Sequence, residues 1–327
     1  MDILISRGVD WIIAIQSLGT WLELPMKFFS FLGSENFLFL ILPLVYWSID
    51  SKLGLQVSMI LATSNNLKPI LKMFFAGPRP YWVSSQVKAY VAEGSFGIPS
   101  GHSQDAVALW GMLASGIRKR WAWIVAIALA FFIGFSRLYL GAHFVHDVLA
   151  GWFVGTILLW AFMRFWDSVT EWLKPQSLNR QVLMVFIISL AFIALSAIVV
   201  APLDGYTFPD EWKDNALRAG PLPAPVSMEG SITAAATLFG LAAGAAWIAS
   251  RGGYQTSGSA EKRALRYVVG LIGVLILWRG LGFVFPEHRG LLSFALRYIR
   301  YALVGFWITA GAPWLFFRFK LADKSNM

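Results

Sequence analysis

Cysteine is absent, so neither a disulfide nor thiolate chemistry is available to this chain. Charge is scarce as well: Asp, Glu, Lys and Arg make up 14% of the residues, where a soluble domain would carry nearer a quarter. Histidine occurs four times in 327 residues. The first residues, Met1 to Arg7, lack the basic start, apolar centre and small-residue cleavage site of a signal peptide, so the first apolar segment is expected to direct insertion itself. The shortage of charge excludes an ordinary soluble globular domain. The apolar runs are continuous rather than alternating, which excludes a transmembrane barrel.

Apolar side chains are abundant instead: 57% of residues, with 16 Trp and 26 Phe. Apolar runs of about 20 residues recur, the length needed to cross a bilayer as a helix, and helices satisfy their own backbone polar groups in lipid. The expected fold class is all-α, a polytopic membrane helical bundle of about nine transmembrane helices plus an N-terminal interfacial helix. The spans fall near 34–49, 53–75, 102–117, 121–139, 143–165, 181–201, 230–250, 264–285 and 292–318. Over 8–31, Trp11, Ile12, Ile15, Leu18, Trp21 and Leu22 recur at helical spacing while Asp10, Glu23 and Lys27 interrupt. That pattern suits an amphipathic helix in the interface, with a tilted, charged span as the other option. The expected division is an N-terminal interfacial segment (1–33), a five-span catalytic core (34–180) and a four-span membrane region (181–327).

The net charge of +9 reads as membrane topology, with no nucleic-acid partner expected. Lys52, Arg118–Arg120, Arg164, Lys174, Arg180, Arg251, Lys262, Arg263, Arg266, Arg318, Lys320 and Lys324 all fall on one side under the nine-span count. By the positive-inside tendency that side is cytoplasmic. Two external loops are long. Residues 76–101 contain Gly77, Gly94 and Gly97, which permit tight backbone paths. Residues 202–229, rich in Pro and acids, are either a cap over the site or an ordinary linker. Residues 251–262 look like a flexible cytoplasmic connector.

Polar, titratable side chains concentrate between Lys72 and Asp147, in three blocks: Lys72 with Arg79-Pro80, Pro99-Ser100-Gly101-His102, and Ser136-Arg137 with His143 and Asp147. Under the nine-span count all three blocks reach the external face. Cations near hydrocarbon are costly unless paired, and the nearby acids are few: Glu93, Asp105 and Asp147. An anionic ligand is the simplest counter-charge for Lys72, Arg79 and Arg137. Arg forks match phosphate oxygens and Lys adds a point charge. Ser100-Gly101-His102 opens a helix, where free N–H groups favour an anion.

His143 and Asp147 are four apart, on one helical face, so Asp147 can hold one ring nitrogen as N–H and leave the other as a nucleophile. His102 then serves as general acid and later as base toward water, roles suited to an imidazole pKa near ~6.5. No metal and no cofactor are required, because three cations neutralise the developing charge. A metal on His143, His146 and Asp147 is the competing arrangement; the ring of cations opposes it. His146 alone reads as structural, Lys68 as snorkelling or pairing within the bundle, and His288 as solvated.

The blocks resemble the three-part signature of the type 2 phosphatidic acid phosphatase superfamily, which also includes vanadium haloperoxidases. Lys72, Arg79, Pro80, Pro99, Ser100, Gly101, His102, Ser136, Arg137, His143 and Asp147 all match it. The resemblance implies a phosphohistidine mechanism, with His143 as nucleophile, Asp147 its partner, His102 the acid, and Lys72, Arg79, Ser100, Gly101 and Arg137 binding phosphate. The layout is similar to the glucose-6-phosphatase and sphingosine-1-phosphate phosphatase branches. The acid at Asp147 departs from the glucose-6-phosphatase pattern and weakens the transfer of sugar-phosphate specificity. The implied function is hydrolysis of a lipid phosphate or diphosphate, such as phosphatidic acid or a polyprenyl diphosphate, on the external or periplasmic face of a bacterial inner membrane. A soluble sugar-phosphate phosphatase and a non-catalytic lipid-binding or transport protein are the alternatives. The bilayer and a lipid phosphate are the expected partners; homo-oligomerisation is left open.

Overall fold

The computed structural model describes residues 2–285 and 290–324, with side chains from Ile5 onward; His288 lies outside the described residues. The described chain is all-α. In order it forms α1 (Asp2–Gln16), α2 (Glu23–Leu32), α3 (Glu35–Leu44), α4 (Ser51–Phe75), α5 (Pro80–Val83), α6 (Gly101–Ile117), α7 (Arg120–Tyr139), α8 (Val145–Leu173), α9 (Leu178–Val200), α10 (Asp210–Ala219), α11 (Glu229–Ala249), α12 (Ala260–Leu275), α13 (Leu281–Val284), α14 (Leu291–Phe306) and α15 (Ala312–Arg318). Wider π turns extend α3, α12 and α14 over Val45–Ile49, Ile276–Gly280 and Trp307–Gly311.

Among the described residues six helical stretches are long and apolar enough to cross a membrane: 120–139, 145–173, 178–203, 229–249, 260–284 and 291–318. A seventh is reached if the pair 20–32 and 35–49, bent by 50°, counts as one. The chain is thus a multi-pass integral membrane protein, but the expected count of nine is not reached. Two of the expected spans fall short for visible reasons. Helix α6 has 17 residues. Helix α4 is long enough but carries Gln56, Ser58, Thr63, Ser64, Asn65, Asn66, Lys68 and Lys72. The interfacial helix expected over 8–31 is interrupted: α1 and α2 are separate helices, and Gly19 turns between them at φ 110°.

Two compact units are each drawn from three stretches of chain. The first comprises Met1–Leu38, Leu67–Trp160 and Ser196–Ser227. Small residues let its helices approach closely. A Cβ on Gly151 of α8 would lie 2.5 Å from the Ser100 carbonyl, and one on Gly155 would lie 2.6 Å from that of Gln104. The core of this unit gathers Val9, Ile12, Trp82, Phe96, Phe144 and Val148. The segment 202–229 belongs to the same core: Trp82 packs on Phe208 with ring centroids 5.0 Å apart, Phe96 on Tyr206 at 5.5 Å, and Asn215 Nδ2 donates to the Trp82 carbonyl at 3.1 Å. It therefore covers the strip that follows Arg79.

The second unit comprises Phe39–Asn66, Ala161–Leu195 and Met228–Met327. Its core holds Tyr46, Trp47, Tyr254, Val274, Ala312 and Phe316. The connector 251–262 is not the flexible linker its Gly and Ser content suggests. Arg266, fully buried, donates to Tyr254 Oη, the Gln255 carbonyl and the Thr256 carbonyl. Ser51 Oγ donates to the Tyr254 carbonyl at 3.0 Å. A buried guanidinium needs acceptors, and the connector folds around Arg266 to supply them to both of its terminal nitrogens.

Candidate active site

The three blocks meet within the first unit. Its last turn of α4 carries Lys72, the extended residue before α5 is Arg79, α6 begins at Gly101, α7 ends just after Arg137, and α8 begins two residues after His143. The turn between α7 and α8 is tight. Gly141 adopts φ 72°, a left-handed conformation that favours glycine, and the amides of Ala142 and His143 both donate to the Arg137 carbonyl, at 3.0 and 3.2 Å. The same five-residue turn thus fixes Arg137 relative to His143.

His143 Nδ1 lies 3.2 Å from Asp147 Oδ2, which also accepts from the Phe144 amide at 2.9 Å. With Asp147 as acceptor, Nδ1 carries the proton and Nε2 keeps its lone pair. Nε2 faces Arg79 Nη1 at 3.4 Å. His143 is outside the helices, and burial, then Arg79, Lys72, Arg137 and His102, hold its imidazole well below the ordinary histidine value. These surroundings disfavour the imidazolium form of His143. His146, half exposed, stacks on Phe144 and places Nε2 3.2 Å from the other Asp147 oxygen.

The cations converge on the loop before α6. Arg79, fully buried, donates through Nε to the Ser95 carbonyl at 2.6 Å, through Nη1 to the Ala142 carbonyl at 2.8 Å, and through Nη2 to Ser95 Oγ and the Phe96 carbonyl. Lys72 Nζ donates to Ser95 Oγ at 3.0 Å and the Phe96 carbonyl at 2.7 Å. Arg137 donates through Nη1 to Ser30 Oγ at 2.6 Å, and Nη2 forms an ion pair with Glu93. Arg137 thus has a counter-charge within the chain, Glu93, where the sequence pointed to an external anion as the simplest one. Burial would raise the Glu93 carboxyl, but Arg137, Arg79, His102 and Lys72 outweigh it and push it down to about 2. Tyr81 Oη clamps the Glu93 backbone, donating to its carbonyl and accepting from its amide.

At the start of α6, Ser100 is a helix N-cap: Oγ accepts from the Ser103 amide, and its own amide donates to the Asp147 carbonyl at 2.9 Å. His102 lies within electrostatic reach of Arg137, Glu93, Lys68 and Lys72, and of His143. A Cβ on Gly101 would lie 2.9 Å from Lys68 Cδ, so the stem of Lys68 lines that position. Lys68 does pair within the bundle: Nζ donates to Asp105 Oδ2 at 2.7 Å. Ser136 Oγ turns back to the Ile133 carbonyl. Among the described residues no three His, Asp or Glu side chains group as metal ligands.

All eight sequence-predicted site residues therefore lie in one unit, around one loop. Ser30, Ser95 and the acceptor role of the 93–96 backbone had no signal in the sequence. The N-terminal segment, expected as an interfacial helix or a tilted span, supplies Ser30 directly. It also supplies Gln16, whose side chain bonds the Lys88 and Tyr139 carbonyls and the Lys88 amide.

A carboxylate-oriented imidazole beside clustered basic side chains, on a multi-pass helical membrane protein, defines a class of anion-handling membrane proteins. Residues 53–171 match the family model described as the PAP2 superfamily, and residues 232–324 match that of the PAP2 superfamily phosphatase, transmembrane extension; the chain carries a PAP2 superfamily domain followed by that transmembrane extension. It is 32% identical over 185 residues to glucose-6-phosphatase 3 of Homo sapiens, covering 49% of this chain and 53% of that one. It is 28% identical over 162 residues to phosphatidylglycerophosphatase B of Bacillus subtilis (strain 168), covering 46% and 77%. It spans about half the length of the glucose-6-phosphatase 3 relatives. Among solved structures, the transmembrane PAP2 type phosphatidylglycerolphosphate phosphatase from Bacillus subtilis aligns with 27% identity and a TM-score of 0.44, over 50% of this chain and 86% of that one.

Proposed function

We propose that this chain is a membrane phosphatase that hydrolyses a lipid phosphate or diphosphate through a phosphohistidine intermediate on the external face. The carrying observation is the aim of His143: Asp147 binds one ring nitrogen, and the other points at Arg79. His143 Nε2 attacks phosphorus, the bond to the leaving oxygen breaks, and His102 donates a proton to that oxygen. Water, deprotonated by His102, then cleaves the N–P bond and releases inorganic phosphate. Lys72, Arg79 and Arg137 neutralise the transferring group, with Ser100 and the Gly101 backbone at the helix start completing the cradle. The cations do the work a divalent metal would do elsewhere. The site residues sit at helix ends, where a headgroup meets them while its tails stay in lipid. Relatives named for phosphatidylglycerophosphate, sphingosine-1-phosphate and lipid phosphate support a lipid substrate.

The test is phosphate release by the full chain in detergent, with chelator present, across phosphatidic acid, phosphatidylglycerophosphate, polyprenyl diphosphate and glucose 6-phosphate. Lipid phosphates should turn over, and His143→Ala should abolish release. Activity surviving that substitution would overturn the assignment of the nucleophile. A sugar-phosphate substrate is the second reading, favoured by the likeness to glucose-6-phosphatase 3; faster turnover of glucose 6-phosphate than of any lipid would establish it instead.

A further inference from the structure

Resting on that phosphate-cradle reading, we propose that Glu93 is a specificity-determining residue: its carboxylate competes with phosphoryl oxygens for Arg137 and so selects doubly charged phosphomonoesters over singly charged phosphodiesters.

One four-residue stretch, Glu93 to Phe96, supplies acceptors to all three cations. Ser95 and Phe96 serve Arg79 and Lys72 with neutral oxygens. Glu93 serves Arg137 with a charged one. The Arg137 side chain is 2% exposed and that of Glu93 29%, so the cation has no route to water while the carboxylate has one. Tyr81 holds the Glu93 backbone at both its amide and its carbonyl, which leaves the side chain as the part able to swing aside. The pairing is also incomplete. Among the described residues the buried Arg137 Nε has no hydrogen-bond partner, although a guanidinium edge can present two parallel donors to one anion.

A phosphoryl group with two free charged oxygens can take the Nη2 donor from Glu93 and reach Nε as well. It also brings two negative charges to a site that must release one. A phosphodiester brings a single charge, so exchanging it for Glu93 gains no net attraction, while the buried ion pair is lost. The bilayer around the protein consists largely of such diesters, and a filter of this kind keeps them out of the cradle. Specificity here comes from a repulsive element as well as an attractive one.

The experiment compares inorganic phosphate at pH 8, a dianion, with dimethyl phosphate, a monoanion. Binding of each to the full chain in detergent is measured by calorimetry for the wild type and Glu93→Gln, with gel filtration to check folding. Glu93→Ala is read in the same way if the Gln variant does not fold. The expected result is that the variant binds dimethyl phosphate about tenfold or more tightly than the wild type does, while phosphate gains less, so the selectivity ratio falls. Binding by the wild type with no gain in the variant, or an equal gain for both ions, overturns this inference and leaves the cradle intact. No binding of phosphate to either protein overturns both readings.

Discussion

The backbone amide of Ser100 donates a 2.9 Å hydrogen bond to the backbone carbonyl of Asp147. This single bond joins the second sequence block to the third. It brings the N-terminus of α6 against the first turn of α8, where the carboxylate that orients His143 sits. The contact is close because α8 presents Gly151 and Gly155 to the backbone of α6.

That closeness predicts the effect of a side chain at the crossing. In Gly151→Val, the new Cβ would fall 2.5 Å from the Ser100 carbonyl, so α8 must move away from α6. Overpacking of this kind costs roughly 1–3 kcal/mol, and here it also displaces Asp147. Phosphate release is expected to fall by at least tenfold, with a lower thermal midpoint in detergent. Gly94→Ala is the control: nothing lies within 4 Å of a Cβ there, and its thermal midpoint should stay near that of the wild type. Equal behaviour of the two variants would sink the argument.

Ser30 is predicted to act through Arg137. Its Oγ accepts from Arg137 Nη1 at 2.6 Å, and the residue is nearly fully buried. Ser30→Ala leaves a buried cationic donor unsatisfied, a loss of about 1–3 kcal/mol. If Arg137 binds phosphate, KM should rise roughly tenfold with kcat little changed, and Ser30→Thr should restore it. A fall in kcat alone would place Ser30 elsewhere in the cycle.

What the sequence made legible was the chemistry carried by side chains with unusual identities. Lys72, Arg79, Arg137, His102, His143 and Asp147 are titratable residues set in or beside apolar segments, and the structure gathers them in one unit. Their acceptors were not legible, because backbone carbonyls at Ser95, Phe96 and Ala142 exist at every residue and small hydroxyls such as Ser30 carry no pattern. Among the described residues the candidate spans number fewer than the nine expected, for a related reason. Hydrophobic windows over 53–75 and 102–117 do not distinguish a lipid-facing helix from one that carries a buried polar stripe, such as the Lys68–Asp105 pair joining α4 and α6. Local Gly and Ser content likewise misread 251–262, because Arg266, which orders it, follows the connector in the chain.

Acid stability should report the Glu93 pair. The carboxyl is held at about 2 in the folded protein against an ordinary 4.5. A depressed carboxyl contributes stability above its unfolded value and loses it as pH falls toward the folded value. Between pH 5 and pH 3 the wild type should therefore lose more thermal stability than Glu93→Gln, which has no proton to take up at that position. Parallel losses in the two proteins would show that Glu93 is not held low by its neighbours.

The pH profile of hydrolysis tests the field around His143. The groups facing it are Arg79, Lys72, Arg137 and His102 from the cationic side and Asp147 from the other. Burial and the cations disfavour the imidazolium, so His143, the proposed nucleophile, is expected to stay neutral below the ordinary histidine pKa. The acid limb of kcat/KM should accordingly lie below pH 6.5. Lys72→Gln removes one of the cations that oppose protonation. The imidazolium then forms more readily, its pKa rises toward the ordinary value, and a higher pH is needed to free the ring. The acid limb should move upward in pH, on a rate already lowered by roughly 10²-fold through loss of one stabilising charge. A limb arising from ionisation of the substrate's own phosphate would ignore the substitution. An unmoved limb would therefore assign it to the substrate, and a downward shift would contradict the cationic field around His143.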